Sequence, residues 1–338
     1  MIVWTAMLVS LFMDWFNVYG HLPRQLPIIV SRGFITTLFS AIASYLIFVL
    51  QTKDPVAHGL QDKNVMAASA LYPRKNVFRT VGILLLFAAG GLEIRYQFNY
   101  HYPGTDLDVL YLLLYTFAFT LLFTWITGTI EILRSHRYIK AGTLVFCVLL
   151  YLALIPTVFG VQRGMLEQQR FAGHFIVHWL TALLTGIILY QLVALRRKQQ
   201  TFSKNDGTGF AWIFCTIAVI YLSVEAHLLV NAILYSNNQP LPEIQRVFIK
   251  TGLPILWGLC SFGFMWFGMK LKYRTLRIIS LTLFSVILFK LFLFDIRNIP
   301  VAGKIAAFFC LGILLLIVSF MYQRLKKIII EDEKRPSV

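Results

Sequence analysis

One stretch near residue 225, YLSVEAHLLVN, carries four side chains that could do chemistry in an apolar setting: Ser223, Glu225, His227 and Asn231. A carboxyl group beside an imidazole is the pairing that general acid–base catalysis or proton transfer would use. Ser223, His227 and Asn231 recur at i, i+4 and i+8, which lays them along one face of a helix. That face has to look into a bundle or a wet cavity, because polar groups facing lipid lack partners. Glu225 points nearly the opposite way and lies close to the middle of its apolar block. It must be protonated, reached by water or paired with a cation.

Lys290 is the one lysine set away from the ends of an apolar block, in VILFKLFLFDIRNIP, residues 286–300. A Glu225–Lys290 pair between helices follows from charge bookkeeping. A lysine at the centre of a membrane helix costs about 2.5–3.5 kcal/mol. Lys290 lies about 7 Å below the end of its helix at 1.5 Å per residue, a depth a lysine stem can snorkel across. Asp295, at i+5, sits about 140° further round the helix and makes a poor intrahelical partner. Two roles fit: snorkelling or a structural ion pair, and the binding of an anionic or glycolipid headgroup.

His174 and His178 have the i, i+4 spacing of a zinc helix. Phe175 stands where the catalytic glutamate of that motif would be, and no Cys or acid at fixed spacing completes a ligand set. Interhelical hydrogen bonding is the preferred reading, and no metal or cofactor is expected. No Walker loop, G-x-S-x-G elbow or GxGxxG is present. Cys147, Cys215, Cys260 and Cys310 form no C-x-x-C pair and read as small packing residues. Asp14, in MDWFNVYG, reads as a solvated or capping residue at a helix end. The segment EIRYQFNYHYPGTDLD, residues 93–108, reads as an interfacial aromatic belt; its alternative is a sugar-stacking surface with Asp106 and Asp108 as acceptors.

The elements that must position these residues are membrane helices. Of the 338 residues 58% are hydrophobic and 14% charged, against about a quarter charged in soluble domains. Apolar blocks fall near 2–13, 33–50, 77–92, 109–130, 141–158, 173–195, 210–235, 251–269, 276–294 and 303–322. All but the first have about the 17–25 residues a spanning helix needs. The first is either a partial crossing or the start of a carboxy-terminal piece of a longer protein. The net charge of +16 lies in short segments between blocks, not on one face or in a tail. Nucleic acid is therefore not an expected partner. If alternate loops are inside, every inside segment carries more Lys and Arg than every outside one, as the positive-inside rule asks. The expectation is an all-α polytopic transmembrane helical bundle forming a single domain, with about ten spans (nine as the alternative) and both termini cytoplasmic. No cleavable signal peptide is apparent.

The carboxy-terminal region adds a resemblance. KLFLFD, Lys290 to Asp295, followed by KIAAFFCLGILLLIVSFMYQR, Lys304 to Arg324, resembles the end of a large uncharacterised family of predicted bacterial membrane proteins. That family's pattern is K-x-F-L-x-D, then R-x-x-S-F-x-x-L-G-x-L-L-L-x-x-S-x-x-Y-Q-R. Lys290, Phe292, Leu293, Asp295, Phe308, Leu311, Gly312, Ser319, Tyr322, Gln323 and Arg324 match, whereas Lys304 replaces Arg and Ala307 replaces Ser. The match covers about 35 residues, with Lys keeping the charge at 304 but not the guanidinium fork. The resemblance implies an all-helical protein of the bacterial inner membrane, often longer, with no agreed substrate, reaction or cofactor.

Three functions fit. A non-enzymatic transport or scaffold component of the cell envelope, handling lipids or glycans and meeting other membrane proteins, suits short loops without a catalytic motif. An intramembrane transferase on a lipid-linked substrate would use Glu225 and His227, with Lys290 or Arg297 on a phosphate. A proton-coupled secondary transporter would use Glu225.

Overall fold

The computed structural model describes residues 2–20, 25–53, 75–129, 137–168, 172–197, 204–236 and 240–290, together with 312 and 316. Among these the protein is all helical. Hydrocarbon offers no partner to backbone N–H and C=O groups, so apolar stretches of this length satisfy themselves as helices. Two compact units result, residues 1–198 and 199–338.

The first unit holds α1 (Ile2–Tyr19), α2 (Arg32–Lys53), α3 (Lys75–His101), α4 (Leu107–Thr129), α5 (Arg137–Ala153), α6 (Ile155–Gln168) and α7 (Ile176–Arg197), with a 3-10 turn, Ala172–Phe175, before α7. Helices α2 and α3 pack closely, and Leu11, Ala41 and Leu85 form a buried cluster where α1 joins them. Polar side chains tie the helices together: Trp4 Nε1 donates to Ser44 Oγ at 3.0 Å, and Trp15 Nε1 to Thr37 Oγ1 at 2.7 Å. Thr37, Ser40 and Ser44 each return their own hydroxyl to the carbonyl four residues back, which removes a donor from the apolar interior.

The second unit holds α8 (Lys204–Leu234), α9 (Leu241–Val247), a π-helical turn (Phe248–Gly252), α10 (Leu253–Lys270) and α11 (Arg274–Lys290). Helices α10 and α11 turn back on each other through Lys272, whose φ of 51° is left-handed. A reciprocal pair locks them: Ser261 Oγ donates to Ser280 O at 2.9 Å and Ser280 Oγ to Ser261 O at 2.7 Å. Trp257 Nε1 reaches Ser223 Oγ on α8 at 2.9 Å.

Seven helices or helix runs among the described residues are long and apolar enough to cross a membrane, and an eighth if α5 and α6 are one broken span. Several expected boundaries move. The block at 2–13 belongs to a helix of 18 residues, so Asp14 lies within α1 and not at its end. It is buried because Thr36 Oγ1 donates to it at 2.7 Å and Arg32 Nε pairs with it at 3.0 Å. The block at 77–92 extends to His101, so the tyrosine-rich segment starts as helix and not as a loop. The block at 141–158 breaks at Leu154 with a bend of 49°, because Pro156 can neither donate its backbone bond nor fit inside a straight helix. The block at 251–269 runs back to Leu241 through the π-turn. The span expected at 303–322, and Asp295, Arg297 and Lys304, lie outside the described helices.

Candidate functional site

Helices α3, α4 and α5 leave a cavity of about 290 Å³ between them. Phe87, Phe119, Phe123 and Phe146 form much of its wall. Leu84, Ile139 and Phe146 are exposed on the outer surface of the unit as well, so the mouth opens on an apolar outer flank. Thr116, Thr120 and Thr143 also line it, but their hydroxyls are occupied. Thr116 donates to Leu112 O at 2.7 Å, Thr143 to Lys140 O at 3.0 Å, and Thr120 accepts from Cys147 Sγ at 3.3 Å. The wall is therefore apolar in effect.

Charge enters at one end only. Arg79 and Lys140 lie near the starts of α3 and α5 and line the same cavity. The Arg79 guanidinium lies 5.5 Å from the centre of the Phe48 ring, a cation–π contact that orients it. A slot with aromatic walls and two cations at one end matches the chemistry of a lipid tail with an anionic headgroup. Its volume is about twice the 150 Å³ or so that admits benzene.

At the far end of α3 stands a second polar group. Glu93, 5% exposed, accepts from Ser31 Oγ at 2.9 Å, Gln97 Nε2 at 2.9 Å, Tyr19 OH at 3.2 Å and the Ile29 N–H at 3.3 Å. One carboxylate thus gathers α1, the 25–31 loop and α3. Nothing in the spacing of these residues announces it. The only sequence signal is an acid directly after an apolar run.

The residues singled out from the sequence are placed as follows. In the second unit Ser223 accepts the Trp257 indole and donates to Val219 O at 2.6 Å. The His227 ring stacks on Phe248 at 4.7 Å, and Asn231 is fully buried. Glu225 is half-buried on another side of α8. In the first unit His174 and His178 do not share an α-helical face, since His174 belongs to the 3-10 turn. Tyr111 OH and His174 Nδ1 are 2.8 Å apart, while His178 is buried against Phe175 and Trp179. No group of three His, Cys, Asp or Glu among the described residues could hold a metal ion. Phe98 stacks on Tyr111 at 3.9 Å and on Tyr102 at 5.9 Å, so these aromatics are spent on one another.

A family model described as predicted membrane protein (DUF2339) matches residues 1–325. The chain belongs to the DUF2339 family. The match extends far beyond the 35 or so carboxy-terminal residues that carry the motif in the sequence. No curated protein and no solved structure gives a significant match to this DUF2339 member.

Lys290, the first residue of the family motif, ends α11 and donates from Nζ to Ile249 O at 2.8 Å. Ile249 lies in the π-turn, where the widened register disturbs the normal pairing of carbonyls. Gly252 makes the turn tolerable, because a Cβ there would sit 2.6 Å from the Phe248 ring. Lys290→Met is expected to destabilise the second unit by about 1–2 kcal/mol, the worth of one charge-assisted hydrogen bond. Thermal unfolding in detergent checks this, and an unchanged midpoint counts against the contact.

Proposed function

We propose that this DUF2339 protein is a non-enzymatic component of the bacterial cell envelope that handles lipids, as a transport component or a membrane scaffold. It sits in the inner membrane with about ten spans and both termini in the cytoplasm. The observation that supports this reading is the apolar cavity between α3, α4 and α5 with Arg79 and Lys140 at one end. In this reading a lipid tail enters between the helices and its anionic headgroup meets the two cations at the cytoplasmic surface. The Lys- and Arg-rich loops that precede α3 and α5 put those cations on the inner side under the positive-inside rule.

Native mass spectrometry of protein extracted in mild detergent tests it. Leu84→Trp with Thr143→Phe fills the mouth without touching a buried hydrogen bond between helices. The wild type is expected to carry lipid adducts that this variant loses. Arg79→Gln is expected to keep a bound lipid but to reduce the preference for anionic over zwitterionic lipid about fivefold, the effect of about 1 kcal/mol per surface cation. The same adducts on the filled variant as on the wild type overturn the reading.

A further inference from the structure

Arg277 lies in the second turn of α11 and is 4% exposed. Its Nε has no hydrogen-bond partner, and no ion pair to its guanidinium is found among the described residues. A guanidinium does not give up its proton, and a buried charge needs a counter-charge.

The charged side chains that precede it on α10 and in the connection are all cations. The side chain of a helical residue leans toward the start of its helix, so Arg277 reaches back toward the first turn of α11. The first N–H groups of a helix have no intrahelical acceptor and carry its positive dipole end. That turn contains no acid. Lys270, Lys272 and Arg274 precede it along the exposed connection. Gly268 of α10 has made room for the arginine: a Cβ there would lie 2.8 Å from Arg277 Cγ and 3.0 Å from its backbone nitrogen. The fold therefore admits a cation to a buried place at the start of a helix, and no anion paired with it is found among the described residues.

We propose that Arg277 and the first turn of α11 bind a phosphate group, presented by a lipid headgroup at the Lys- and Arg-rich surface. Arg supplies a planar fork suited to two phosphate oxygens, and the helix start supplies backbone N–H groups. This site belongs to the second unit, and the cavity belongs to the first.

The test compares wild type and Arg277→Met, both in the Leu84→Trp/Thr143→Phe background so that the cavity cannot contribute. Each is placed in nanodiscs of phosphatidylcholine alone and of an equal mixture with phosphatidylglycerol, and thermal unfolding is followed. With arginine at 277 the midpoint is expected to rise in the anionic nanodiscs. With methionine it is expected to show no such rise, and in neutral nanodiscs to lie at or above the arginine protein's midpoint, because an uncompensated charge has gone. Native mass spectrometry is expected to show retained phosphatidylglycerol falling about tenfold, the loss of one charged contact. Arg277→Lys keeps the charge without the fork and is expected to fall between the two.

Inorganic phosphate added to neutral nanodiscs separates the sources. A rise with phosphate alone assigns the site to the free anion, and a rise only with the lipid assigns it to the headgroup; both support the site. Arg277→Met that fails to fold in neutral nanodiscs overturns the proposal, since it means the charge has a partner within the chain. An equal anionic-lipid rise in both proteins does so as well. So does Asp206→Asn if it reproduces the effect of Arg277→Met, because Asp206 adjoins Gly207, whose carbonyl accepts from Tyr273 OH at 3.1 Å beside this turn.

Discussion

Glu93→Ala is expected to cost the first unit about 3–5 kcal/mol, the range for breaking a buried charged network by removing one partner. The carboxylate is the common acceptor for the Tyr19 and Ser31 hydroxyls, the Gln97 amide and the Ile29 N–H. Truncation leaves all four donors in a place with little water, and each orphaned donor carries a penalty of about 1–3 kcal/mol. The penalties do not add fully, since the loop can relax. That loop has a further reason to fail. Ile29 sits at φ 65°, a left-handed backbone that a β-branched residue adopts only under constraint, and its N–H bond to Glu93 is part of that constraint. Tyr19→Phe removes one donor and keeps the acceptor, so it is expected to cost only about 1 kcal/mol. Thermal or denaturant unfolding in mild detergent measures both. An alanine variant as stable as the tyrosine one would show that the four contacts do not act through the carboxylate.

The same residue explains where the sequence misleads. Hydropathy counts Glu93, Arg95 and Gln97 as the end of a span, because in isolation each is costly in lipid. Glu93 is not isolated, and three of its four partners come from residues 62 to 74 positions away, beyond any local pattern. Asp14 is misread for the same reason: Thr36 and Arg32, on the next helix, hold it inside α1. The seven or eight apolar helices among the described residues are legible, since the bilayer demands long apolar helices whatever their neighbours. The break at Leu154 is legible in principle from Pro156.

The candidate site is less visible. The cavity draws on three helices whose phenylalanines look, in sequence, like any lipid-facing phenylalanines. Arg277 reads as one more orientation charge until Gly268 is seen to admit it to the interior. Lys290 stands out by type, yet its partner is a backbone carbonyl in a π-turn, and no sequence pattern marks that carbonyl.

Gly82→Leu is expected to be the most disruptive single change at a helix contact in the first unit. A Cβ on Gly82 would stand 3.2 Å from Ala41 O and 3.5 Å from Tyr45 N. Both are backbone atoms of α2 and cannot swing aside as a side-chain tip would. The next neighbour, Ser44 Cβ at 3.6 Å, belongs to the serine that accepts the Trp4 indole. Helices in lipid gain nothing from the hydrophobic effect when they meet, so close backbone approach between small residues carries the association. A leucine at this contact has to push α2 and α3 apart, at a cost of about 1–3 kcal/mol or more. Separation would also lengthen the Trp4–Ser44 bond and the reach from the 25–31 loop to Glu93. Gly82→Ala should do the same in smaller measure. Gly142→Ala is the control, since a Cβ there meets nothing within 4 Å; in a helix it should be neutral or stabilising by about 0.5–1 kcal/mol. Detergent unfolding of the three variants decides the matter. A leucine variant that behaves like Gly142→Ala would mean that α2 and α3 do not meet at Gly82. A large loss that is less than additive with Glu93→Ala would show that the helix contact and the carboxylate network hold the same part of the fold.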